Sequence, residues 1–131
     1  MNEDYLFVYG TLRKDYGLEL VDSIANNLLF VAHGKVSGVL YDLGAYLGAV
    51  PASRGEEITG DVYRIKDAEN VFAALDAFEG TEYRRQKAEV TMASKEHAEV
   101  WMYWYTGAVN ERQRITGRDY LDYLKIKDRL E

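Results

Sequence analysis

The sequence contains no cysteine, only one proline and only two histidines among its 131 residues. Without cysteine there can be no disulfide bond, no thiolate metal ligand and no cysteine nucleophile. The two histidines, His33 and His97, form no H-x-x-x-H pair, so we exclude a zinc site and expect both to be solvated or capping residues beside turns. Motifs for a serine nucleophile (G-x-S-x-G) and for a phosphate-binding loop (G-K-[ST]) are also missing.

Long apolar runs are missing as well. No stretch approaches the ~18 residues that a membrane-spanning helix needs, and no charged-then-apolar leader precedes a cleavage site. We therefore expect a soluble, cytoplasmic protein with no membrane partner. The 16 Lys and Arg residues against 22 Asp and Glu give a net charge of −6, which disfavours binding to nucleic acid.

Length and composition indicate one globular domain, which we predict to span residues 1–131. Hydrophobic residues make up 47% of the chain and charged residues 29%, as is ordinary for folded proteins. Tyrosine is unusually frequent, with 11 residues. Because a buried tyrosine hydroxyl needs a hydrogen-bond partner, these residues line either a partly polar cavity or the edges of strands.

The hydrophobic pattern predicts many strands and few helices. Strands are predicted over 5–9, 28–31, 36–41, 46–50, 58–65, 83–92 and 98–105, and helices over 18–27, 67–79 and 117–130. Asp67 is expected to cap the second helix and Gly80 to end it. Most strands follow one another directly, which favours an α+β fold with an antiparallel or mixed sheet. The frequent glycines suggest that this sheet curls into a small barrel.

One carboxylate, that of Glu79, lies where apolar side chains are expected. With ~100° between successive helical residues, Glu79 falls inside the arc formed by the apolar residues Val71, Phe72, Leu75 and Phe78. Partial burial at the negative end of the helix dipole would raise the pKa of this carboxyl toward the range of a general acid or base. Alternatively, Glu79 bends outward to solvent or pairs with Arg84 or Arg85.

A second feature is the segment Tyr9-Gly10-Thr11-Leu12-Arg13, which directly follows the first predicted strand. A glycine at a strand end lets the backbone turn sharply and brings successive N–H groups to face one point. Such a loop can bind a carboxylate or stabilise an oxyanion. Taken alone, the segment is better explained as a simple strand-to-loop turn.

Together, however, the two features resemble the paired motifs of the gamma-glutamylcyclotransferase-like family. Residues 5–13, YLFVYGTLR, resemble its opening motif, and residues 75–80, LDAFEG, followed by Tyr83 and Arg85, resemble its second motif. Weaker similarities occur at 38–44, at 60–63, where Asp61 replaces the family's glutamate, and at 115–120. The order and spacing of these segments cover nearly the whole chain.

The resemblance implies a small mixed β-barrel with flanking helices and a cavity for a gamma-glutamyl group. It also implies a cofactor-independent enzyme that needs no metal. In such an enzyme the α-amine of the substrate attacks its own side-chain carbonyl, which releases 5-oxoproline and a free amine. Glu79 would be the acid/base catalyst, and the substrate-binding loop would consist of Tyr9, Gly10, Thr11 and Leu12.

We therefore expect a gamma-glutamyl cyclotransferase that acts on a small gamma-glutamyl amine or amino-acid amide. Glu82 also follows the second motif, but it lies beyond the helix stop at Gly80, and Glu79 is preferred. The alternative is a non-catalytic binding module that recognises a small acidic metabolite in the same cavity, because a fold can persist without its chemistry.

Overall fold

The computed structural model describes residues 4–9, 27–43, 47–52, 56–110, 112, 114 and 115, with only the backbone described at Phe78 and Glu79. Within these ranges the chain forms seven strands and one α-helix: β1 (Asp4–Val8), β2 (Leu28–Ser37), β3 (Val39–Asp42), β4 (Leu47–Val50), β5 (Glu57–Ile65), α1 (Ala68–Glu79), β6 (Tyr83–Met92) and β7 (His97–Tyr105). The helices predicted over 18–27 and 117–130 lie outside the described residues, apart from residue 27. No helix in the described part of the chain has the length and apolarity needed to cross a bilayer.

Five strands close into a barrel in the order β1-β5-β2-β6-β7. Strand β5 pairs antiparallel with β1 and β2, and β6 pairs antiparallel with β2 and β7. The barrel closes where β7 meets β1 in parallel, at Leu6 and Trp101. Strands β3 and β4 form a separate antiparallel pair. The predicted α+β fold with a small mixed barrel is therefore confirmed.

Successive strand residues point to opposite sides of a sheet, and along β1, β5 and β7 the barrel wall is buried on both of its faces. One buried cluster contains the alternate residues Phe7, Tyr9, Ile58, Val62, Val90, Val100 and Met102, which fill the interior. A second cluster contains the intervening residues Leu6, Val8, Tyr63, Ile65 and Tyr103 together with Val71, Phe72 and Leu75 of α1. Helix α1 thus packs on the outside of the barrel.

Strand β2 differs most from the sequence prediction. We predicted separate strands over 28–31 and 36–41, whereas β2 runs without a break through Gly34, because Gly34 pairs with Gly60 of β5 instead of forming a corner. The break comes at Gly38, whose N–H donates to the carbonyl oxygen of Glu56 at 3.0 Å. The prediction that His33 lies beside a turn is therefore wrong.

Helix α1 begins after Asp67 and stops at Gly80, but Asp67 does not cap it as expected. The backbone of Asp67 is left-handed, with φ of 55°, and its side chain makes no capping bond to a backbone amide. That carboxylate instead accepts a hydrogen bond from Asn70 Nδ2 at 2.7 Å. Gly80 has φ of 83° and donates its N–H to the carbonyl oxygen of Asp76 at 3.1 Å. Glycine adopts this backbone conformation readily, so the last turn of α1 ends sharply.

The close approach of strands inside the barrel gives a stability prediction at Gly60. A Cβ at this position would collide with the Phe7 ring and with the carbonyl oxygen of Val8, which belongs to the β1 backbone. We expect Gly60→Ala to lower the free energy of unfolding by about 2–3 kcal/mol, measured by urea denaturation. As a control, Gly107→Ala should cost less than half as much, because the three atoms nearest to its Cβ all belong to the side chain of Tyr105 and none to the backbone. Equal losses in the two variants would contradict this account.

Candidate active site

The predicted site residues follow two different elements of the fold. Tyr9 comes directly after β1, and Glu79 is the last residue of α1. Gly10, Thr11 and Leu12 lie outside the described residues, and the direction of the Glu79 side chain stays a prediction. The described part of the candidate site therefore consists of Tyr9, the last turn of α1 and the contacts that hold them.

Tyr9 is fixed to strand β7 by its hydroxyl group. The side chain is 8% exposed and belongs to the interior cluster of the barrel. Its hydroxyl donates a hydrogen bond to the carbonyl oxygen of Tyr103 at 2.7 Å. Since a buried tyrosine hydroxyl requires a partner, this bond holds the start of the predicted substrate-binding loop against strand β7 of the barrel wall.

The last turn of α1 is fixed to the same residue of β7. The Tyr103 hydroxyl donates to Asp76 Oδ1 at 2.5 Å. Asp76 lies one helical turn before Glu79, and its carbonyl oxygen accepts the N–H of Gly80. Tyr103 therefore contacts both the first residue of the predicted substrate-binding loop and the helical turn that carries the second motif.

Arg85 completes the set of groups around Asp76. It is the cross-strand neighbour of Tyr103, and its Nε and Nη2 atoms donate to the Asp76 carboxylate at 3.1 and 3.3 Å. The guanidinium carbon lies 4.0 Å from the centre of the Phe72 ring and 5.0 Å from that of Trp101. Arg85, which the sequence offered as a partner for Glu79, thus binds Asp76. The sequence analysis missed this contact.

The charge of Asp76 is stabilised by these neighbours. Partial burial opposes its ionisation, but the hydrogen bonds from Arg85 and Tyr103 and the positive charge of Arg85 outweigh burial, so the pKa of Asp76 lies below its ordinary value. Asp76 is therefore held as a carboxylate at neutral pH. It is a poor candidate for a residue that must take up and return a proton.

The predicted helical geometry around Glu79 is confirmed where side chains are described. Val71, Phe72 and Leu75 are buried against the barrel. Asp76 lies on the rim of this face with 47% of its side chain exposed. Asn70 and Ala77, predicted on the opposite side, are exposed.

The two histidines have different surroundings. Nδ1 of His33 lies 2.8 Å from Oδ1 of Asp61, which is fully buried, while the His33 side chain is 53% exposed. Buried carboxylates require such partners, so His33 is more than the solvated residue that we expected. His97 is exposed at the start of β7, 3.3 Å from Glu89, as predicted for a solvated position.

The described residues place the protein in a class with a small closed mixed barrel and an external helix. Hydrogen bonds attach the last turn of this helix to the barrel wall. Residues 6–122 match the family described as "Gamma-glutamyl cyclotransferase, AIG2-like". The chain belongs to this family.

The chain is similar to proteins from bacteria and from a mammal. The "Gamma-glutamylcyclotransferase family protein ytfP" of Citrobacter rodentium is 36% identical over 119 residues, which are 89% of this chain and 95% of the relative. The crystal structure of YkqA from Bacillus subtilis matches 97% of this chain with a TM-score of 0.77 at 22% identity, although the match spans only 43% of that protein. An AIG2-like protein from Mus musculus matches with a TM-score of 0.74 at 20% identity, over 92% of this chain and 89% of the mouse chain. These two structures share the fold.

The lowered pKa of Asp76 gives a prediction about acid stability. A carboxyl whose pKa is depressed by folding stabilises the fold above its unfolded pKa of about 3.9, and this contribution is lost as the pH falls through the folded pKa. We expect Asp76→Asn to be less stable than the unaltered protein at pH 7, by no more than about 1 kcal/mol because the side chain is half-exposed. At pH 2.5 the difference should shrink toward zero. Urea denaturation at both pH values tests this, and a difference independent of pH would contradict it.

Proposed function

We propose that this protein cleaves a small gamma-glutamyl amine or amino-acid amide by intramolecular cyclisation, releasing 5-oxoproline and a free amine. The family match over residues 6–122 supports this class of reaction. The observation that carries the proposal is that Tyr103 binds both Tyr9, at the start of the predicted loop, and Asp76, one turn before Glu79. Two motifs that are distant in sequence are therefore attached to one residue of the barrel wall.

The reaction makes few demands on the protein. The α-nitrogen of the substrate attacks its own side-chain carbonyl carbon, a five-membered ring forms, and the original amide C–N bond breaks. Because nucleophile and electrophile belong to one molecule, binding of the folded conformer supplies much of the rate through orientation. The carbonyl oxygen carries negative charge in the intermediate, and we propose that backbone N–H groups of Gly10, Thr11 and Leu12 stabilise it.

Two protons pass from the attacking nitrogen to the departing nitrogen in each turnover. The ammonium loses one proton before it attacks and a second as it becomes the ring amide, while the departing nitrogen gains one as its C–N bond breaks and another as it becomes an ammonium. A single carboxylate that accepts and then returns a proton can serve these transfers. Glu79 is suited to this role because it lies at the negative end of the α1 dipole, and the last turn contains no basic residue. Asp76 is held ionised by Arg85 and is unsuited to it.

The proposed activity is tested by incubating the protein with a panel of gamma-glutamyl amines and gamma-glutamyl amino acids. Mass spectrometry should detect 5-oxoproline and the free amine in equal amounts. Equal formation of glutamate and amine instead would indicate hydrolysis and overturn the proposal. Binding of a panel compound without turnover would support the alternative, a binding module that recognises a small acidic metabolite.

Substitution of Glu79 tests its acid/base role. Gln keeps the size of the side chain and its ability to form hydrogen bonds, but it cannot exchange a proton at neutral pH. We expect Glu79→Gln to fold and bind substrate almost normally and to lower kcat by about 10²-fold or more. The matched control is Glu82→Gln, which neutralises an exposed carboxylate just beyond the helix and should leave kcat within about twofold. Unchanged kcat with a lower melting temperature in Glu79→Gln would indicate that Glu79 only forms a surface ion pair.

Substitution of Gly10 tests the loop. A branched side chain restricts the backbone and blocks the approach of a ligand to adjacent N–H groups. We expect Gly10→Val to abolish measurable turnover while circular dichroism shows that most of the secondary structure remains. Ordinary turnover by this variant would exclude the proposed role of the loop.

A further inference from the structure

We propose that Tyr103 is a positioning residue for this reaction, which holds the last turn of α1, and with it Glu79, at a fixed place relative to the loop that begins at Tyr9. The inference rests on the proposed function. Tyr103 would act through the two elements that it joins and would not itself contact the substrate.

Tyr103 is hydrogen-bonded to residues on opposite sides of the barrel wall. Its carbonyl oxygen accepts the hydroxyl of Tyr9, whose ring belongs to the interior cluster. Its own hydroxyl reaches Asp76 on α1, which packs outside the barrel. A single strand residue thus connects the interior start of the loop with the exterior helix.

The residues that form this connection between the loop and the helix have little freedom to move. Tyr103 is 6% exposed, and it lies within a long antiparallel pairing between β6 and β7. Its ring packs among apolar side chains of α1 and the barrel, so the hydroxyl has little freedom to move. Arg85, directly opposite on β6, binds the same carboxylate from the neighbouring strand. Asp76 is therefore held from two adjacent strands at once.

Small displacements of this turn would matter for the chemistry. A general acid or base must lie within hydrogen-bond reach of the nitrogen whose proton it transfers, and a misplacement of about 1 Å can cost about 10²-fold in rate. Removal of the Tyr103 hydroxyl leaves Asp76 bound to Arg85, so the helix stays in place while the Asp76 carboxylate loses one of its hydrogen bonds to the barrel wall.

The test is the substitution Tyr103→Phe, which keeps the ring and removes only the hydroxyl. We expect kcat to fall about tenfold while KM changes less than about twofold, because orientation of the catalyst is lost and substrate contacts are kept. In a Glu79→Gln background the same substitution should have no further effect, because Tyr103 acts through Glu79. The same fold loss in both backgrounds would overturn the inference.

The matched control is Asp4→Ala. Asp4 accepts a hydrogen bond from Nε1 of Trp101 at 3.3 Å, so this bond also joins β7 to another strand. Asp4 pairs with Ile65 at the end of β1 opposite to Tyr9. Loss of this bond should leave kcat within about twofold, and a tenfold loss would show that any weakening of β7 lowers activity, which would overturn the inference.

A second measurement does not depend on turnover. Hydrogen exchange of the Gly80 amide, which bonds to Asp76, reports opening of the last turn of α1. It should be about tenfold faster in Tyr103→Phe and unchanged in Asp4→Ala. If the unaltered protein forms no 5-oxoproline, the proposed function fails and this inference fails with it. If the unaltered protein is active but exchange and kcat are unchanged in Tyr103→Phe, only the positioning role fails.

Discussion

The arrangement of the candidate site depends on the carboxylate of Asp76, which accepts hydrogen bonds from two neighbouring strands. The buried apolar side chains of α1 supply most of its binding energy to the barrel, at about 1.5–3 kcal/mol each. Apolar contact, however, has no preferred direction, so a helix held by it alone can rotate or slide. The bonds from Tyr103 and Arg85 contribute less free energy but fix the rotation and height of the last turn. In this fold, burial decides that the helix packs on the barrel, and hydrogen bonding decides how it is oriented.

Part of the wall of this small barrel carries buried side chains on both its inner and its outer face. Five strands enclose an interior that contains buried apolar side chains, and Gly34 and Gly60 leave the room that Val90 and the Phe7 ring occupy. Polar groups are therefore kept to the wall and its outer side, where Asp61 is buried beside the half-exposed His33. Tyr9 is an exception, since its ring lies in the interior cluster while its hydroxyl bonds to the wall itself.

The sequence was most informative where one local pattern dominates. Alternating residues predicted strands β6 and β7 closely, and helical spacing placed Val71, Phe72 and Leu75 on one buried face with Asp76 at its rim. Prediction failed at Gly34, which resembles a corner until it is paired with the distant Gly60 in β5. It also failed at Asp67, which resembles a cap although its side chain binds the nearby Asn70 and no backbone amide. The partners of Asp76 depend on the register that sets Arg85 opposite Tyr103, and no pattern local to α1 indicates that register.

The closure of the barrel at Leu6 and Trp101 has a consequence for synthesis on the ribosome. Strand β1 cannot pair with β7 until β7 has been synthesised. The two strands are neighbours in the barrel, although almost the whole described chain lies between them in sequence. Chains emerge at about 5–20 residues per second, so β1 spends several seconds with one edge unpaired. During that interval an open edge is a site for pairing with other nascent chains. Since Tyr9 and Asp76 both bind Tyr103 of β7, the two halves of the candidate site can be joined only after β7 has been synthesised.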